Sequence, residues 1–486
     1  MKPKILFIQP DYNRFFIPYM TDFEPLCFEI LASCINDIAE VEIMDRRIES
    51  EEIMRNKIRS FKPDIVGSRT HSSAEIITAK KILEIAKEID PSITTIIGGQ
   101  HPTLMPHDFY EDFIDLICVG PGEDLIREVV LEYSSGKEYE KIKGLGINNE
   151  GEIFLTPNRH IESGVLKWPK IDRSYSNKYR RRFPLGFILT SIGCPYRCKF
   201  CALWVSARGT YRIRPAEDIV NELAEINQSH IYIGDDNTFH NVKHAFEVAK
   251  MIQKRGIKKN FLGYARTDTI VENPELFAEW SKAGLFALIV GFESIREDRM
   301  GDINKSNSVK INLEAKKILN KSRILPLAHF IIFPDFEKRD FEELWNFIRT
   351  NDITAPVFVP LTPLPGTELF EKAKAEDSLS VFDISFYNLE YMVYKTKMPK
   401  KEFYEEYMKL WRKQTTISHL IRRFRIERSP LLISLALHFS VLKADPIFQR
   451  NIKIQLELEK HSDYAKLEPT LLPSFRRSYR VKRDDI

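Results

Sequence analysis

Apolar runs of strand length alternate with helix-period stretches through most of this chain, and that alternation admits few folds. The first series of runs reads KILFIQP, VEIMD, DIVGSRT, ITTIIGG and DLICVG. Stretches of helical period such as FEPLCFEILASCIND, SEEIMRNKIRSF and AEIITAKKILEIAKEID lie between them. Strands that are apolar on both faces belong inside a parallel sheet covered by helices on each side. Residues 1–135 are therefore predicted to form a doubly wound, Rossmann-like α/β domain. Ligands of such sheets bind outside the carboxyl ends of the strands. Those ends carry Pro10-Asp11, then Arg69-Thr70-His71-Ser72-Ser73, then Gly98-Gly99 followed by His101-Pro102, and finally Gly120 with Gly122-Glu123. Small and turn-forming residues let a backbone approach a ligand, but connecting loops of every kind share this look. The loops alone do not separate cofactor binding from plain connection.

Residues 136–185 read as an irregular linker with one hairpin signal, GLGI-NNEG-EIFLT. A second series follows, with strands GFILTS, HIYIGDD, NFLGYARTD, FALIVGFES, ILPLAHFIIF and APVFVPLTP. Six strands separated by helices predict an incomplete (β/α)6 barrel over residues 186–390, with its chemistry at the carboxyl ends of the strands. From 391 to 486 the alternation stops and a helical C-terminal domain is expected.

The chain has 43% hydrophobic and 29% charged residues, as a globular protein does. Its net charge of +3 conceals a basic tail, because residues 400–486 hold 19 Lys/Arg against 11 Asp/Glu. No signal peptide is read at the N-terminus, and six cysteines in 486 residues make no disulfide framework, so a cytoplasmic setting is expected. PLLISLALHFSVL (430–442) is too short to span a membrane. Together with the arginines of ISHLIRRFRIER it could instead lie in a membrane interface, or simply pack on the barrel. Nucleic acid is not expected as a partner, since no binding module and no interleaved stacking aromatics are present.

Immediately after GFILTS stands SIGCPYRCKFCALW, with Cys194, Cys198 and Cys201. A disulfide would leave one cysteine over, and a structural zinc site wants a fourth ligand that no neighbouring residue supplies. The third reading is an iron–sulfur cluster with one iron left open. Spacing and placement favour it. Cys27 and Cys34, seven apart on a helical pattern, and Cys118, inside DLICVG, read as core packing.

The C-x3-C-x2-C pattern, with an aromatic residue, Phe200, before the last cysteine, resembles the radical S-adenosylmethionine (SAM) superfamily. The resemblance implies a 4Fe–4S cluster on Cys194, Cys198 and Cys201, with SAM chelating the fourth iron and yielding a 5′-deoxyadenosyl radical. It also implies SAM contacts from Phe200, from Asp235 and Asp236 at the end of HIYIGDD, from Arg266 in YARTD, and from Glu293 and Ser294 at the end of FALIVGFES. This chain has Gly-Asp-Asp where many members have Gly-Gly-Glu. An Asp after a strand otherwise often caps the next helix.

The five-strand domain ahead of the barrel, with FEPLCFEIL, VEIMDRRIE, GGQHPT and VGPGE, resembles the cobalamin-binding branch of that superfamily over essentially residues 1–390. The implied cobalamin site comprises Pro10, Asp11, Arg69, Thr70, His71, Ser72, Ser73, Gly98, Gly99, His101, Pro102, Gly120, Gly122 and Glu123. The Asp-x-His-x-x-Gly of methionine-synthase-type domains is missing, since Asn13 and Phe16 replace its histidine and glycine. Cobalt should lack that ligand.

YARTD, TPLPGTELF and FYNLEYMVYKTKMPKKEFYEEYMKLW look most like hopanoid C-methylases and tetraether-lipid ring synthases. The expected activity is C-methylation of a lipid or polyisoprenoid at an unactivated carbon. Ring closure in tetraether lipids, oxidative cyclisation of a tetrapyrrole and a cofactor-binding sensor without turnover are the alternatives. A hydrophobic small-molecule substrate and an electron donor such as ferredoxin or flavodoxin are the expected partners.

Overall fold

The computed structural model describes residues 2–11, 23–149, 152–179, 181–302, 307–381 and 383–419, with 421–422, 449–450, 452–453 and 456. The segments PLLISLALHFSVL and most of ISHLIRRFRIER, Asn13 and Phe16 lie outside the described residues.

The first sheet contains β1 (Lys4–Gln9), β2 (Glu40–Asp45), β3 (Ile65–Arg69), β4 (Thr94–Gly98) and β5 (Leu116–Cys118), all parallel. Two further strands, β6 (Leu145–Asn149) and β7 (Glu152–Leu155), pair antiparallel and complete the order β2-β1-β3-β4-β5-β6-β7. The strand order reverses between β1 and β3, the crevice at which doubly wound sheets hold ligands. The hairpin expected in the linker is thus an edge of the first sheet, and that sheet runs on to Leu155 rather than stopping near residue 135.

Helices cover both faces. One face takes α1 (Leu26–Ile35), whose Phe28 stacks on Phe7 of β1 with ring centroids 5.2 Å apart. The opposite core takes α2 (Glu51–Phe61) and α3 (Ile76–Ile89), which contribute Met54, Ile58, Ile82 and Leu83. Ser50 caps α2 by accepting from the Ile53 N–H. A short α4 (Gln100–Leu104) follows β4, and α5 (Gly122–Ser135) packs beside α1 through Leu125, Ile126 and Val129.

After a small sheet with β8 (Gly164–Val165), the barrel strands are β9 (Gly186–Ile188), β12 (His230–Ile233), β13 (Asn260–Ala265), β14 (Leu285–Glu293), β15 (Leu325–Ile332) and β16 (Pro356–Pro360). They are parallel, in the order β16-β15-β14-β13-β12-β9. The remaining strands β10 (Ser191–Ile192) and β11 (Arg212–Ile213) join β8 beside the barrel's first strand. Six strands leave the barrel open, as expected.

The segment after residue 390 does not begin as a separate body. The helix Lys400–Lys413 buries Phe403, Tyr404, Tyr407 and Trp411 in the same core as the barrel strands, and Tyr407 donates to the Phe358 carbonyl of β16 over 2.9 Å. The apolar face of this helix packs on the barrel.

A buried ionic network joins the first domain to the barrel. Arg173 of the linker pairs with Glu24 (2.8 Å) and Glu29 (3.4 Å) on one side and with Glu222 of the helix Ala216–Glu225 on the other. Arg214 closes the network on Glu222 at 2.6 Å, and Glu24 also accepts the Phe187 N–H of β9 at 2.6 Å. Burial pushes the Glu29 carboxyl up to about 7 against the pull of Arg173, and raises Glu24 for the same reason.

Candidate functional site: the cysteine loop and the cavity beside it

The cysteine loop leaves the carboxyl end of β9, and the end of β12 fixes its start. Asp235, almost fully buried, accepts the Thr190 N–H at 2.6 Å and the hydroxyls of Thr190 and Ser191, the latter at 2.9 Å. Its neighbour Asp236 accepts the Gly193 N–H at 2.8 Å. Gly193 has φ +91° and a Cβ there would lie 2.2 Å from the Thr210 carbonyl oxygen, so the tight turn into Cys194 requires glycine. Next along, the buried Asn237 donates its side-chain N–H to Cys194 Sγ at 3.8 Å. The loop closes on itself through Cys201 N–H to the Cys198 carbonyl (3.1 Å) and the Trp204 indole to the same oxygen (2.9 Å).

Burial raises the Cys194 thiol, and raises Cys201 to about 12 with the neighbouring cysteines adding to it. Asp236 is raised to about 6 by burial, with Asp235 beside it contributing. Burial thus keeps these thiols protonated until a metal compensates the thiolates.

Of the other predicted residues, Arg266 meets this loop, Phe200 belongs to it, and Glu293 and Ser294 stand at the end of β14. Arg266, just after β13, stacks on Tyr196 with its guanidinium 3.7 Å from the ring centroid, and Asp268 holds it at 3.0 Å. Phe200 packs with Ile331, Phe333, Val359 and Leu361 at the ends of β15 and β16. Glu293 ends β14 after a register shift and sits at φ +60°, a conformation rare for a non-glycine residue. The next turn is held by Ser294 N–H to the Phe292 carbonyl (2.8 Å) and by the buried Asn312, which donates to the same carbonyl at 2.9 Å.

A cavity of about 240 Å³ opens at the carboxyl ends of the first sheet. Of the predicted residues, Arg69, His71, Gly98, Gly99, Gly120, Gly122 and Glu123 line it. Pro10, Asp11, Thr70, Ser72, Ser73, His101 and Pro102 do not. Thr70 is buried behind it, donating its N–H to the Gly98 carbonyl at 2.9 Å. His101 is buried between Ser73 (3.4 Å) and Asp108 (2.7 Å). Arg69 is anchored by Gln9 at 2.8 Å, across the β1–β3 crevice.

Two known families match the chain: the B12 binding domain over residues 17–130, and the radical SAM superfamily over residues 188–348. The chain is a B12-binding radical SAM enzyme. It is 26% identical over 403 residues to the hopanoid C-3 methylase of Methylococcus capsulatus, spanning 79% of this chain and 75% of the methylase. It is 28% identical over 411 residues to the anaerobic magnesium-protoporphyrin IX monomethyl ester cyclase of Rubrivivax gelatinosus, spanning 79% and 72% of the two chains. Its fold matches that of the radical SAM methyltransferase TsrM from Kitasatospora setae with a TM-score of 0.66 at 18% identity, covering 77% of this chain and 78% of that one.

The residues of this radical SAM enzyme fit its cofactors. Three cysteine thiols in one loop are of the donor type that an iron–sulfur cluster takes. On the B12 side the cradle is built from glycines. A Cβ on Gly99, at φ +109°, would lie 2.3 Å from the Thr70 carbonyl oxygen, and one on Gly122 would lie 3.3 Å from Leu31.

The cavity has a second wall that sequence reasoning missed. Cys27, Phe28 and Leu31 of α1 and Cys118 of β5 line it, so two of the cysteines read as core packing also face this space. Trp168 of the linker and Leu189 and Ile192 at the start of the cysteine loop complete it. Ile192 stands two residues before Cys194, and that short step joins the cavity to the loop.

Proposed function

We propose that this enzyme methylates an unactivated carbon of a lipid or polyisoprenoid, using Cys194, Cys198 and Cys201 to hold a 4Fe–4S cluster beside a corrinoid in the adjoining cavity. The observation that carries the reading is the shared wall: Leu189 and Ile192 lead into the cysteine loop and also line the cavity of the first domain. When bound, the cluster with SAM supplies a carbon-centred radical, and the corrinoid supplies a methyl carrier.

In this reading the chain's residues position and exclude water. Asp235 and Asp236 hold the loop from Thr190 to Gly193 by its backbone and hydroxyls, so the first cysteine is set by β12 and not by the loop alone. The apolar wall of Phe200, Ile331 and Val359 suits the face of an adenine. Arg266 presents a cation to the SAM carboxylate, while Glu293 and Ser294 present polar groups to its ribose and methionine parts. On the other side, Arg69, His71 and Glu123 are the polar groups that meet the corrinoid. Apolar side chains from α1 and from the loop exclude water between the two cofactors.

The substrate class rests on the hopanoid methylase relative. Oxidative cyclisation of a tetrapyrrole is the second reading, favoured by the cyclase relative of comparable identity and coverage. Among the described residues no helix is long and apolar enough to cross a membrane. A reducing protein such as ferredoxin or flavodoxin would supply the electron.

Mass spectrometry of lipids and tetrapyrroles, from cells with the intact gene and from cells carrying Cys198→Ala, tests the reading. A methyl mass gained on a lipid and lost in the variant is the expected result. An unchanged lipid profile with an altered tetrapyrrole would replace it by the second reading.

A further inference from the structure

Among the side chains around the cysteine loop, Asn237 touches a cluster thiol without belonging to the cysteine motif. Its amide nitrogen lies 3.8 Å from Cys194 Sγ, and the residue is 3% exposed. The other end of the amide, Oδ1, is buried and finds no hydrogen-bond partner among the described residues. An orphaned buried acceptor is costly, and turning the amide over would place oxygen against sulfur, two acceptors facing each other once the thiol is a thiolate. The sulfur selects the orientation. The backbone of Asn237 is held independently, its carbonyl accepting the Tyr211 hydroxyl at 3.2 Å and the His240 N–H at 3.3 Å.

We propose that Asn237 is a positioning residue that tunes the electron affinity of the cluster through an N–H···S bond to Cys194. The inference rests on the assignment of Cys194 as a cluster ligand. Adding an electron to an iron–sulfur cluster increases the negative charge on its sulfurs, so a donor aimed at one of them stabilises the reduced state more than the oxidised one. The bond therefore raises the reduction potential and eases the first electron transfer into a buried, water-poor site. It comes from the residue directly after Asp235 and Asp236, so three consecutive side chains at the end of β12 hold the loop's start and its first ligand. Asp235 and Asp236 act on the backbone and hydroxyls, and Asn237 on the sulfur itself.

The test is an EPR-monitored redox titration of the full-length, cluster-loaded protein without SAM, comparing wild type with Asn237→Leu. Leucine fills the same volume and has no N–H. The expected result is a lower midpoint potential in the variant with about four irons per chain retained. An unchanged potential with the irons retained would overturn the proposal. If Asn237→Leu cannot be loaded, wild-type protein grown with ¹⁵N-asparagine decides the question. A hyperfine-coupled nitrogen in the pulsed EPR spectrum of the reduced cluster supports the bond, and its absence overturns it. A wild-type protein that takes up no four-iron cluster would instead defeat the ligand assignment, which iron analysis reads separately.

Discussion

Thr190 and Asp235 lie 45 positions apart, and the N–H of the first donates to the carboxylate of the second over 2.6 Å. The entry into the cysteine loop is thus fastened to the next barrel strand by a buried acceptor that also serves two hydroxyls.

Asp235→Ala should leave the Thr190 N–H and the Thr190 and Ser191 hydroxyls without their acceptor, at a cost on the order of 1–3 kcal/mol per stranded group. Urea denaturation of the purified protein should show the loss, and iron retained after anaerobic gel filtration should fall with it. Asp235→Asn keeps an acceptor oxygen and should lose less on both counts. Equal losses in the two variants would mean that the charge, not the geometry, holds the loop.

Gly99→Ala should separate the two cofactors. The added Cβ meets a backbone oxygen at a positive φ, so the loop after β4 must shift. Bound corrinoid, read by its visible absorption, should drop severalfold while iron content stays at the wild-type level. Wild-type corrinoid content in the variant would place the cofactor elsewhere.

Arg173→Met should be among the most damaging substitutions away from both sites. It takes the paired cation from Glu24 and Glu29 in a dry interior and leaves Glu222 to Arg214 alone, and breaking buried pairs of this kind costs about 3–5 kcal/mol. The expected outcome is a lower denaturation midpoint with early proteolytic cleavage in the segment between residues 156 and 185. Adding Glu29→Gln to Arg173→Met should recover part of the loss, because one carboxylate fewer is then left without its cation.

The same network predicts a pH dependence. Burial lifts Glu29 from its ordinary 4.5 to about 7, so the native protein holds a proton that the unfolded chain releases. This contribution is fully present below about pH 4.5 and declines as pH rises towards about 7, by at most about 1.4 kcal/mol per pH unit for one proton. Denaturation midpoints across that window should flatten in Glu29→Gln. A midpoint rising with pH, and unchanged by the substitution, would assign the titration to other groups.

The elements that sequence exposed are those whose own residues carry the signal. Strands such as LPLAHFII and helices such as EEIMRNKIRSF declare themselves by local period, and the cysteine triplet by spacing. Arg173 was hidden because an arginine just ahead of the basic stretch SYSNKYRRRF looks solvated, and only the arrival of Glu24, Glu29 and Glu222 from distant positions buries it. The second wall of the cavity was hidden for the opposite reason. Cys27, Phe28 and Leu31 look like any apolar helix face, and nothing local says that part of that face meets open space. His101 misled in the other direction. A histidine in a glycine-rich loop suggests a ligand contact, but Asp108 seven residues on already engages its ring.

A protein with two cofactor domains invites recombination, one cassette exchanged for a relative's. The fastening at Arg173 forbids a clean cut. A chimera spliced after the first sheet would carry the arginine with the barrel and leave Glu24 and Glu29 behind, so a foreign first domain brings no matching acids unless its own helix supplies them. Successful exchange must therefore transplant a charge pattern along with a fold, and this seam sets which halves can be inherited separately.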